Sequence, residues 1–154
     1  MTGVAQRRVK KLADVIEVQV ARSQALRMEL VEAVQAHERG IAVRHMAWQE
    51  RLDHEAAWQK ALKSQGGFDP LLTAALAAAV ADRQIAEAEA EDVLVERKNA
   101  EDQSRGHLRS ALKSEERTAE ALRVAVRQAA GERDQATELS LEERTAWAWW
   151  RMQS

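Results

Sequence analysis

Two long stretches of the chain carry apolar residues at helical spacing, and one short stretch interrupts them. A first helix is predicted over about 4–63. It opens as a heptad, with Val9, Ile16 and Leu30 in one column, Leu12 and Leu26 in the other, and Gln19 and Ser23 as polar interruptions. After His37 the apolar residues slip in phase to Ile41, Trp48, Leu52 and Leu62, a stutter expected to relax supercoiling there, with Gly40 weakening the helix. A second helix is predicted over about 70–150. Leu72, Leu76, Ala79, Ala86, Ala90 and Val93 mark its first seam, and Leu108, Leu112, Ala119, Leu122, Val126 and Ala129 mark its last. Arg97 to His107 between them is polar and expected to be looser.

The interruption, about 64–69, reads Ser64-Gln65-Gly66-Gly67-Phe68-Asp69 and is followed by Pro70. The paired glycines can take the left-handed conformation that ends a helix. Asp69 can cap the next helix, and Pro70 suits its first position because it lacks an N–H and has a fixed φ. Stop and start lie so close that the second helix folds back along the first. The expected fold is therefore all-α: one domain, an antiparallel two-helix coiled-coil hairpin in which Trp58 lies opposite Leu76 and Trp48 opposite Ala86. The second helix is longer, so residues 132–154 form an unpaired extension.

Composition agrees with long helices. The 154 residues include one proline, one phenylalanine, no tyrosine and no cysteine, and 31% are charged. Leu, Ile, Val and Phe make up about a fifth of the chain, near the level where burial barely offsets the entropy of ordering, so the core is expected to be thin. Without cysteine there are no disulfides or thiolate metal sites, which suits a cytoplasmic protein. No apolar run follows the basic start, and the longest one, Ala74 to Ala81, is too short to span a bilayer, so no membrane insertion is expected. A net charge of −2 gives no general drive toward nucleic acid.

Catalytic and metal patterns are absent. His54-Glu55 is followed by Trp58, and His37-Glu38 by Ile41, where a zinc-protease helix needs its second histidine. Among His37, His45 and His54 successive residues do not share a helical face, and the acids from Asp82 to Asp102, among them Glu87, Glu89, Glu91 and Asp92, read as a solvated face. The expectation is a protein that is not an enzyme, with no cofactor and no metal.

Three features suit interaction. Arg7, Arg8, Lys10 and Lys11 would form a positive collar beside the far part of helix two, or else an ordinary solvated helix start. Trp147, Trp149 and Trp150 lie beyond the paired region, where indoles serve as binding anchors or fold back on the hairpin. Phe68, Leu71 and Leu72 at the turn form either a contact site or a local staple around the Asp69 cap.

In its size, lack of cysteine, two long charged helices, single Gly66-Gly67-Phe68-Asp69-Pro70 break and overhanging second helix, the chain resembles the FliJ/YscO (SctO) family of type III secretion and flagellar export. The resemblance covers nearly the whole chain and is one of pattern and length. It implies a hairpin resembling the γ-subunit stalk of rotary ATP synthase, at the cytoplasmic face of a secretion apparatus. It also implies partners: the hexameric secretion ATPase at the end bearing both termini, an export gate protein, and export chaperones. On this reading the basic start faces the ATPase, and the middle or turn end faces the gate.

The same heptads would also serve a self-associating scaffold or adaptor, because a seam does not state whether its partner is in the same chain. A third reading, a helical arm that binds nucleic acid, is opposed by the acidic stretch from Asp82 to Asp102. Light scattering separates the first two. A stalk should be monomeric when dilute, whereas a stable oligomer would favour the scaffold.

Overall fold

The computed structural model describes residues 2–153, with side chains from Gly3 to Met152. Two α-helices account for almost all of it: α1, Thr2–Leu62, and α2, Pro70–Gln153. Ser154, the last residue of the expected extension, lies outside the described residues. Abundant Ala, Glu, Arg, Gln and Leu favour helix throughout, and the only proline stands at the first position of α2.

The break follows from a few residues. The last turn of α1 tightens as the Ser64 N–H donates to the Ala61 carbonyl at 3.4 Å. Gly67, at φ 112°, alone among the described residues takes positive φ; Gly66 does not. The Asp69 carboxylate then accepts the N–H groups of Leu71 and Leu72 at 3.0 and 3.2 Å, and the Thr73 hydroxyl donates to the Asp69 carbonyl at 2.7 Å.

Packing divides the chain into two units, each built from both helices. The unit spanning Leu26–Leu108 contains the turn and is an antiparallel helical hairpin. The other joins α1 up to Ala25 with α2 from Arg109 onward.

In the turn-bearing unit the covered positions of α1 keep heptad spacing through and beyond His37: Leu30, Ala33, His37, Gly40, then Ala47, Arg51, His54 and Trp58. The expected stutter is absent. Ile41 is 50% exposed, and Leu52 and Leu62 also face solvent. Gly40, read as a weak point, is buried within continuous helix because α2 comes close there. A Cβ at Gly40 would lie 3.2 Å from Arg97 Cδ and 3.3 Å from Leu94 Cδ1.

The α2 side differs from expectation in the same way. Its covered positions are Thr73, Leu76, Val80, Arg83, Glu87, Ala90, Leu94, Arg97, Glu101, Ser104 and Leu108. Leu72 and Val93 lie one row to the side and are exposed. The polar stretch from Arg97 to His107 does carry the seam. Glu101 is only 6% exposed; its carboxylate lies 2.6 Å from His37 Nδ1 and also accepts from Arg105 one turn on. Arg97 donates to the Ala36 carbonyl at 3.0 Å, through space that the missing Gly40 side chain leaves open.

Charged pairs continue toward the turn. Arg51 binds Glu87 across the helices and Glu55 along its own, while Arg44 meets Glu91 at 2.8 Å and Arg83 meets Glu50 at 2.6 Å. Glu87 therefore lies within the contact as a partner of α1, whereas Glu91, though paired, is about half exposed and Glu89 and Asp92 face solvent as expected. The hydrogen bonds that Arg51 donates to Glu87, then to Glu55, raise its guanidinium above the ordinary range. For a cation so raised, the stabilisation is complete below the ordinary value and fades only as pH climbs through the folded one, so Arg51 stays charged at all working pH. Trp48 is half-buried and stacks on His45 of its own helix with ring centres 5.5 Å apart.

In the other unit the same logic recurs. Ser23, 3% exposed, donates to the Glu115 carboxylate at 2.8 Å, and Gln19 donates to the Ser114 hydroxyl at 3.1 Å. Ala125 and Ala129 are buried in this unit, whereas Leu112 and Val126, expected in the seam, lie beside it and are exposed.

Buried and exposed ion pairs should therefore respond differently. Glu101→Ala leaves His37 without its carboxylate partner in a covered layer, while the exposed Arg105 turns to water, and should lower stability by about 1–3 kcal/mol. Arg44→Ala removes a pair that is about half exposed and should cost at most about 1 kcal/mol. Urea denaturation followed by helix signal measures both, and equal losses would contradict this distinction.

Candidate partner-binding surfaces

Arg7, Arg8, Lys10 and Lys11 are all exposed on the first turns of α1. Arg7 Nε donates to the Gly3 carbonyl at 2.8 Å, and none of the four forms an ion pair among the described residues. Counting back along α1 from the Ser23–Glu115 bond brings Lys11 level with Arg127. Arg127 thus joins the basic start, as does Arg123, although the Glu120 carboxylate pairs with Arg123 at 2.9 Å; both stand on a stretch of α2 from Ala121 to Gly131 that contains no acid. Sequence reasoning had not singled out these two arginines; the acid-free interval was the available signal. Cations at a helix N-terminus oppose its dipole, so this collar does not serve the stability of α1.

From Ala130 to Met152 every residue is exposed. α1 leaves this part of α2 uncovered, and the indoles do not fold back onto it. Trp147, Trp149 and Trp150 are 59%, 64% and 62% exposed. Local ring contacts order two of them, Trp147 and Trp150. The Trp147 and Trp150 rings lie 6.2 Å apart at 54°, and the Arg151 guanidinium stands 4.6 Å over the Trp147 ring. Glu143, Arg144, Trp147, Ala148, Arg151 and Met152 line a shallow groove along this face. Indoles held in place yet wet lose little entropy when a partner covers them, and this is what makes them effective anchors.

At the turn, Phe68, Leu71 and Leu72 are all exposed, Leu71 at 84%. A staple would pair Phe68 with the residue four places into α2, but that residue is Thr73, which is polar and bonded to Asp69. The three apolar side chains therefore form a small uncovered tip. It belongs to the turn-bearing unit, whereas the collar and the tryptophans belong to the other.

No trio of His, Asp or Glu among the described residues is placed to hold a metal ion, and no described helix is long and apolar enough to cross a membrane. His37, the one histidine tied to a carboxylate of the other helix, is held within the helix interface by Glu101. No family model, curated protein or solved structure matches the chain.

Proposed function

We propose that the chain is a non-enzymatic central stalk of a bacterial type III secretion export apparatus, at its cytoplasmic face, binding the hexameric secretion ATPase and coupling it to the export gate. The observation that supports this most is the pairing, within one unit, of an exposed basic collar with an uncovered helix carrying three exposed tryptophans. Exposed cations attract an acidic ring surface without fixing one geometry, since each exposed charge pair is worth little and exchanges readily. The tryptophans supply the anchoring that charge alone does not. Phe68, Leu71 and Leu72 at the turn are left to meet the export gate, with export chaperones as further partners.

The test is a pull-down with the cognate hexameric ATPase, together with its ATP hydrolysis rate in the presence and absence of this protein. Binding and a changed rate are expected. Reversing Arg7, Arg8, Lys10 and Lys11 to glutamate should weaken binding about tenfold or more at low salt, with less effect at high salt. No binding and an unchanged rate would overturn the assignment.

A further inference from the structure

The covered face of α2 contains a regular column that extends past the residues α1 covers. At intervals of one heptad it reads Glu87, Leu94, Glu101, Leu108, Glu115 and Leu122, and then Ala129. Each of its covered glutamates meets a donor on α1: Arg51 for Glu87, His37 for Glu101 and Ser23 for Glu115. Beyond Ala129 the same column continues as Ala136, Glu143 and Trp150, with Leu139 and Ala146 in the adjoining one. All five are exposed, and Glu143 makes no ion pair or hydrogen bond among the described residues.

We propose that this uncovered length of α2, residues 132–153, pairs with a helix of another protein that presents an arginine, lysine, histidine or serine level with Glu143. The proposal rests on the reading of the C-terminal helix as a docking element, and it specifies the chemistry of what docks. Continuity with the α1–α2 interface is the first reason. The seam does not end at Ala129; only its cover does. Charge is the second. A second copy paired antiparallel through this column sets Glu143 against Glu143, Ala136 or Trp150, and a parallel pair sets it against Glu143 again. None of these carries a cationic group or a hydroxyl, so self-pairing leaves the carboxylate without the kind of donor that each covered glutamate has. The partner helix also needs an apolar seam, with large side chains opposite Ala136 and Ala146 and a small one opposite Trp150.

Two synthetic four-heptad helical peptides test this against the full-length chain by calorimetry and tryptophan fluorescence. Both carry a leucine and alanine seam; one has arginine level with Glu143 and the other glutamate. The arginine peptide should bind at least about tenfold more tightly, and Glu143→Gln should abolish most of that preference. Equal affinities, no binding by either peptide, or self-association of the chain that Leu139→Glu disrupts would overturn the proposal. The ATPase pull-down with the Glu143→Gln chain separates the two readings: retained ATPase binding alongside a failed peptide test removes this inference alone.

Discussion

Carboxylates placed inside a helix–helix contact must be met by donors on the facing helix, and this requirement governs the pairing of α1 with α2. A thin interface with few large apolar groups has little hydrophobic burial to spare, so an unpaired glutamate there would consume much of it. The chain answers with a graded set of donors, Arg51, His37 and Ser23, opposite Glu87, Glu101 and Glu115. Apolar positions alternate with these and supply burial, while the polar layers fix which residue faces which. A shift by one heptad would leave every glutamate opposite a position that was not chosen for it.

The turn was legible in the sequence because local chemistry decides it: a glycine for positive φ, an aspartate that accepts two free N–H groups, and a proline where no N–H is needed. The opening heptad of α1 was legible too, including Gln19 and Ser23 as polar members of their columns. Apolar periodicity placed Leu76, Ala90, Leu108, Leu122 and Ala129 correctly in the contact but misread other parts of the seam. Ile41, Leu52, Leu72, Val93, Leu112 and Val126 were assigned to the contact because they are apolar, yet all are exposed. Arg51, Arg97 and Glu101 were passed over because they are charged, yet they lie between the helices. Burial here follows position in the heptad, and a charged residue can occupy that position when its partner stands directly across. The glutamates at regular spacing were the overlooked signal, since a column that repeats Glu and Leu over several heptads is not a solvated face.

The exposure of the proposed interaction surfaces was legible in part. The tryptophan run and the basic start stood out by composition, whereas Arg123 and Arg127 required the register between the helices, which the Ser23–Glu115 bond supplies. Gly40 shows why side-chain chemistry alone is insufficient. It reads as a helix weakness, and its use is to let the Arg97 side chain cross over and reach a backbone carbonyl of α1. Stability and the proposed binding surfaces are thus separated along the chain. The covered glutamates hold the helices together, and the exposed surfaces from Ala130 onward and at the turn contribute little to that hold.

The most direct test of this account is a charge exchange between Arg51 and Glu87. Arg51→Glu alone and Glu87→Arg alone each set like charges against one another in the interface and should lower the urea midpoint clearly. The double variant restores a matched layer with its sense reversed and should recover most of the loss. If the double variant is as unstable as the two single losses added together, pairing across the interface does not hold the helices in register, and the account fails.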